Sequence, residues 1–162
     1  LAGMQWAAAE KKAAVVNLSL GGPDGPDADP LEEAVDTLSK KYGTLFVTAA
    51  GNDGRAGTVS SPGSADAALT VGAVDRSDAL ADFSSEGPRI GDGAVKPDIT
   101  APGVDIVAAR ATGTAMGSTV DDFYTAESGT SARPAPAAPP HPPGCSPPVP
   151  TRWPCPPGAR HR

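Results

Sequence analysis

The sequence predicts an α/β fold, a parallel β-sheet flanked by helices, and three observations carry that expectation. Strand, helix and strand follow one another between Val15 and Ala49, which implies a parallel crossover. The strand Leu45-Phe46-Val47 is apolar without alternation, as in a sheet covered on both faces. The intervening helix has signals at both ends: Asp29-Pro30 supplies an N-cap and a first-turn proline, and Gly43 stands where a C-terminal cap belongs.

Leu1 to Ala14 reads as a first helix, with Leu1, Met4 and Ala8 on one face and Lys11 and Lys12 near its C-terminal dipole. Val15 to Leu20 is a strand that breaks at Gly21-Gly22. After Asp29-Pro30, Leu31, Ala34, Val35, Leu38 and Tyr42 recur at helical spacing. Further strands are expected at Leu45–Ala49, Ala68–Val74 and Val104–Ala108, and loops with short extended pieces between Asp75 and Gly103.

Composition divides the chain after Ser131. All 19 acidic residues lie before that point with 9 Lys and Arg, a formal charge of −10. An acidic body without a basic patch excludes nucleic acid as a partner. The last 31 residues hold four Arg, no acid, both cysteines, both histidines and 12 of the 19 prolines. Proline at that density removes helix donors, so 132–162 reads as a disordered Pro-rich tail and 1–131 as the domain. No stretch of about 18 apolar residues offers a membrane span. No signal peptide opens the chain, and a start at Leu1 reads as that of a fragment.

Six segments occur in an order that resembles the subtilisin-like serine proteases: Ser19-Leu20-Gly21-Gly22, Ala49-Ala50-Gly51-Asn52, Thr70-Val71-Gly72-Ala73-Val74, Phe83-Ser84-Ser85 with Gly87-Pro88, Lys96 to Gly103, and Gly129-Thr130-Ser131. The resemblance implies a partial subtilisin-like fold and serine endopeptidase chemistry on protein or peptide substrates. It makes Ser131 the nucleophile and Asn52 the oxyanion donor. Ser19, Leu20 and Gly21 would form one wall for an extended substrate, and Ala49, Ala50 and Gly51 the facing wall. It also implies a secreted location and leaves the oligomeric state open.

Three departures bear on activity. The family's catalytic Asp and His come from motifs upstream of the Ser-Leu-Gly-Gly strand, and the fourteen residues before Val15 contain neither. His141 and His161 lie in the tail, where nothing would hold an imidazole in place. Ser131 is followed by Ala132-Arg133-Pro134 instead of the family's Met-Ala helix, so the helix that should aim the serine cannot propagate. The chain is therefore expected to be inactive as it stands. Two alternatives remain, a protease-like module that binds extended peptides without cutting, and a non-functional truncated product.

No cofactor is expected. Structural calcium belongs to the family's repertoire, but Asp24-x-x-Asp27-x-Asp29 fails the calcium-loop spacing and reads as a solvated acidic loop, so no metal ligands are assigned. The tail's Pro, Ala, Arg and Gly excess is that of a GC-rich gene read out of frame. The nucleotide sequence at the Ser131 codon tests this: a single-base shift should restore Met-Ala and a helix, and none doing so refutes the idea.

Overall fold

The computed structural model describes residues 1–27, 29–114 and 116–132. Helix α1 (Ala2–Gln5) runs into a π-helical turn over Trp6–Glu10, where the Lys11 N–H reaches the Trp6 carbonyl at 3.0 Å. The helix expected to continue to Ala14 thus stops at Glu10. Its end is the widened turn followed by Lys12 at φ 52°, a left-handed position that no helix continues through. Met4 and Ala8 are buried as their spacing implied, whereas Leu1 precedes the helix and is exposed.

Helix α2 (Pro30–Tyr42) has the ends its sequence signals. The Asp29 carboxylate accepts the Leu31 N–H at 2.6 Å, and Gly43 closes the helix at φ 70° with its N–H on the Ser39 carbonyl. An N-cap of this type is worth about 1 kcal/mol. Val35 and Leu38 face inward, while Tyr42 at the last turn is exposed.

The main sheet has the order β1-β2-β3-β4, all parallel: β1 (Val15–Leu18), β2 (Leu45–Ala49), β3 (Ala68–Val74) and β4 (Ile99–Pro102). Register places Phe46 between Val16 and Ala68. Phe46 and Ala68 share one face with Met4, Ala8, Val35 and Leu38, so both helices cover that side of the sheet. Full burial of a phenylalanine side chain contributes about 1.5–3 kcal/mol, which makes Phe46 the centre of this cluster.

Strand β4 lies in the stretch expected to hold loops with short extended pieces. It carries no apolar alternation and ends in Pro102, so its own sequence gives little strand signal. Tertiary contacts supply what propensity lacks: Lys96 Nζ donates to the Ala68 carbonyl and to Asp98 Oδ2, both at 2.8 Å, and Asp98 Oδ2 accepts the Thr70 N–H at 2.7 Å. This buried lysine locks the start of β4 against β3.

The strand expected at Val104–Ala108 is β5 (Ile106–Ala109), displaced because Asp105 takes φ 50° and turns the chain first. It joins a separate antiparallel sheet of order β5-β7-β6, with β6 (Ser118–Thr119) and β7 (Tyr124–Glu127), a hairpin too polar and short to have been read from sequence. Of the tail, only Ala132 is among the described residues, so the expectation of disorder lies outside them.

Among the described residues β1 pairs only with β2, and Val15 is 54% exposed on the open edge. An uncovered edge strand is a template for self-pairing. The chain should therefore associate with rising concentration in sedimentation velocity, and Val15→Lys should shift it towards monomer. A wild-type monomer at all concentrations would contradict this.

Candidate functional site

In a parallel sheet all strands end on the same side, and the loops leaving those ends meet there. Ser19 to Gly22 leave β1, Ala50 to Asp53 leave β2, and Gly103 leaves β4. The Gly129–Ala132 turn docks on this edge, with the Gly129 N–H on the Gly103 carbonyl at 2.8 Å. Between the first two loops and this turn lies a cleft of about 370 Å³.

Leu20, Gly21, Ala49, Gly51, Asn52 and Ser131, all expected from sequence, line this cleft. Two expected wall residues do not. Ala50 is fully buried, its N–H on the Val71 carbonyl and its carbonyl taking the Ser60 N–H. Ser19 is exposed outside the cleft, where its hydroxyl accepts from Asn17 Nδ2 at 2.8 Å. Gly22, Pro23, Asp53, Ser60 and Thr130 also line the cleft. Of these, Thr130 lay inside a recognised motif, while Ser60 carried no sequence signal.

Gly21 and Gly51 are required by close approach. A Cβ on Gly21 would stand 2.9 Å from the Ser61 carbonyl oxygen. One on Gly51 would stand 2.2 Å from Ser60 Oγ, at a φ of +107° that disfavours any side chain. The wall beyond β1 is held by Gly22, which exchanges both backbone hydrogen bonds with Ser61 at 3.0 and 3.1 Å.

Thr130 is buried, and it sets the orientation of Asn52. Its backbone N–H donates to Asn52 Oδ1 at 2.9 Å, and its hydroxyl lies 2.9 Å from the same oxygen while accepting the Gly51 N–H at 3.2 Å. A backbone N–H can only donate, so the carboxamide must turn its oxygen to Thr130 and its NH₂ group away. Among the described residues nothing accepts from that NH₂ group, nor from the Ser131 N–H. Asn52 and Ser131 both line the cleft, and a Cβ built on Gly129 would stand 3.5 Å from Asn52 Nδ2, 3.8 Å from Asn52 Oδ1 and 3.9 Å from the Ser131 nitrogen.

The Ser131 side chain is exposed and its hydroxyl has no partner among the described residues. Ser131 sits in a turn rather than a helix, and His141 and His161 lie outside the described residues. The acidic loop near the cleft disperses: Asp29 caps α2, Asp27 is exposed, and Asp24 accepts the adjoining Gly25 N–H at 2.7 Å. Among the described residues no three His, Cys, Asp or Glu side chains gather as metal ligands. No helix among them is long and apolar enough to cross a membrane.

Comparison with known proteins agrees with this geometry. Residues 1–139 match the profile of the peptidase S8, or subtilase, family. Pyrolysin of Pyrococcus furiosus is 42% identical over 134 residues, covering 64% of this chain and 9% of pyrolysin. Subtilisin DY of Bacillus licheniformis is 36% identical over 136 residues, covering 81% of this chain and 42% of that protein. Among solved structures, the prenylagaramide maturation protease PagA superposes with a TM-score of 0.65 at 32% identity, over 82% of this chain and 43% of that one. The chain thus spans less than half the length of these relatives.

Thr130→Val keeps the shape but removes the hydroxyl, leaving the Gly51 N–H without its acceptor. Loss of a hydrogen bond to this half-buried donor costs about 0.5–1.5 kcal/mol. The denaturation midpoint should fall accordingly, and the Asn52 side-chain amide resonances should broaden or shift. A midpoint and spectrum unchanged from wild type would show that Thr130 does not hold Asn52.

Proposed function

The chain belongs to the subtilase family, and we propose that it supplies the nucleophile and oxyanion half of a serine endopeptidase centre. The observation that supports this most directly is that Asn52, whose Nδ2 has no acceptor among the described residues, lines the cleft together with the exposed Ser131. In this reading Ser131 Oγ attacks the scissile carbonyl of a peptide laid along the cleft. The carbonyl oxygen gains charge as the tetrahedral intermediate forms, and donors already in position stabilise it without reorganising. Leu20 and Gly21 on one side and Ala49 and Gly51 on the other contact the extended substrate, and secretion follows from the resemblance.

A serine hydroxyl also needs a base, and residues 1–131 contain no histidine. In this reading the base comes from sequence other than these residues, and by the resemblance its orienting aspartate does too. Cleft and donors formed without a base also suit the second reading, a module that holds extended peptides uncut. Peptide binding with no turnover under any complementation would favour it.

The chain alone should neither hydrolyse peptides nor be labelled at Ser131 by an active-serine phosphonate. Turnover should appear only when an Asp- and His-bearing N-terminal half is supplied and a Met-Ala-type helix replaces Ala132 onward. Ser131→Ala should then abolish it. Asn52→Ala should lower kcat about 10²–10³-fold, the loss known for a subtilisin asparagine in this role and carried over by resemblance. Labelling of the unassisted chain, or turnover indifferent to Ser131, would overturn the assignment.

Gly129→Ala offers a separate check on the oxyanion space. Its added methyl would stand close to both donors, so complemented turnover should drop by more than tenfold with little change in KM. An unchanged kcat would place the oxyanion elsewhere.

A further inference from the structure

We propose that Asp24 is a site of spontaneous isoaspartate formation, a backbone modification beside the wall of the cleft. The chain holds three Asp-Gly pairs, Asp24-Gly25, Asp53-Gly54 and Asp92-Gly93. In such a pair the next backbone nitrogen can attack the aspartate carboxyl, because glycine puts no Cβ in the way and leaves the backbone free to turn. The fold treats the three pairs differently. At Asp53-Gly54 the nitrogen is locked: the Gly54 N–H donates to the Phe83 carbonyl at 2.9 Å, and a Cβ on Gly54 would collide with the Asp82 carbonyl oxygen. At Asp92-Gly93 both groups are occupied. Gly93 donates to the Arg89 carbonyl at 3.1 Å, and the Asp92 carboxylate takes the Arg89 guanidinium and the Ala94 N–H.

Gly25 has no such tie. Its N–H points at Asp24 Oδ1, 2.7 Å away, so the attacking nitrogen already lies against the carboxyl group. Among the described residues no backbone hydrogen bond joins residues 23–27 to the rest of the fold. Nothing stands within 4 Å of a Cβ built on Gly25, so the peptide has room to rotate. Of the three pairs, only this one combines contact between the reacting groups with freedom to move. Groups held in contact react faster because the entropy of bringing them together is already spent.

The chemistry needs only water. The Gly25 nitrogen adds to Cγ of the protonated Asp24 side chain, the Cγ–OH bond breaks, and the hydroxyl leaves with the amide proton as one water. A second water then opens the five-membered succinimide at either carbonyl. Opening at the side-chain carbonyl restores aspartate. Opening at the main-chain carbonyl leaves the backbone running through Cβ and Cγ, with the α-carboxylate as the side group and the mass unchanged. The isoaspartyl chain is one main-chain atom longer, between ends that are fixed. Gly22 is bound to Ser61 by two backbone hydrogen bonds, and Asp29 is bound as the cap of α2. Pro23, which lines the cleft, adjoins Asp24, so the added atom shifts the wall. This holds whatever the cleft binds and stands apart from the catalytic reading.

The test is to incubate the full chain at physiological temperature and neutral pH, digest it, and sequence the peptides by electron-transfer fragmentation, which locates the rerouted backbone bond. Isoaspartate should accumulate at Asp24 several-fold faster than at Asp53 or Asp92. In urea the three sites should react at similar rates, since the fold is what tells them apart. Gly25→Ala adds a methyl that meets nothing within 4 Å, so it should slow the reaction at Asp24 several-fold without lowering the denaturation midpoint. In the aged chain a second set of amide resonances should appear at Gly21 and Gly22, and aged Gly25→Ala should lack it. Isoaspartate at Asp53 or Asp92 as fast as at Asp24, accumulation undiminished by Gly25→Ala, or the same preference for Asp24 in urea would each overturn the proposal. Isoaspartate at Asp24 with a single set of resonances at Gly21 and Gly22 would overturn its effect on the wall.

Discussion

The contact on which the site depends is the one between Thr130 and the Gly51-Asn52 turn. It joins residues nearly eighty positions apart through the threonine's backbone N–H and its hydroxyl. Thr130 itself is buried, and it meets the exposed Asn52 at the floor of the cleft. One consequence is positional, since the turn carrying Ser131 is tied to the end of β2. The other is chemical. Asn52 has a single oxygen to offer, and once that faces Thr130 its NH₂ group has no choice of direction. A flexible asparagine becomes an oriented dipole, which is the property an oxyanion donor requires.

The turn can exist only because the backbone around it is stripped of side chains. Gly51 leaves room for Ser60 and Ser85, and Gly63 comes so near the Ala49 and Ser60 carbonyls that a Cβ would stand 2.8 and 2.9 Å away. Small polar residues fill the space where a core would ordinarily place aliphatic ones. Ser85 Oγ accepts the Asp53 N–H at 3.1 Å, and Ser84 Oγ the Ala73 N–H at 3.0 Å. One hydroxyl satisfies a loop N–H at Asp53 and the other a strand N–H at Ala73 in β3, as burial of backbone donors demands. The Phe46 cluster packs the helices onto one face of the sheet, and Val47, Val59 and Val71 are buried apart from it.

What could be read from sequence divides along similar lines. Helix α2 and strands β2 and β3 announce themselves, because caps, periodicity and apolar runs are local properties. Strand β4 does not, since its order comes from Lys96 and Asp98 gripping β3. The π-helical turn after Gln5 is likewise invisible in a run of alanines. At the site, motif resemblance located Ser131, Asn52 and most of the cleft wall, yet it counted Ala50 and Ser19 among the lining. Contiguity in a motif does not tell which way alternate side chains of an extended segment point, and both neighbours turn away. Ser60 was hidden for the opposite reason, as it reaches the cleft through tertiary contact, its N–H on the Ala50 carbonyl.

The incomplete centre has a physical logic in its geometry. Under the proposed function, the Asn52 donor is held by contacts wholly within residues 51–131, so it would need no help from a base to be in place. The serine hydroxyl is different. It has no partner among the described residues, and a free hydroxyl samples several rotamers and keeps its proton at neutral pH. A histidine reaching it would do two things at once, choosing one rotamer and taking the proton as the bond forms. Catalysis scales with interactions made in the transition state. Donors without a base can therefore stabilise an intermediate that is scarcely ever formed, and a base facing a poorly aimed serine would be equally idle. In the proposed centre the two requirements would meet at the Gly129–Ala132 turn, since the same few residues would have to aim both the Ser131 N–H and the Ser131 hydroxyl.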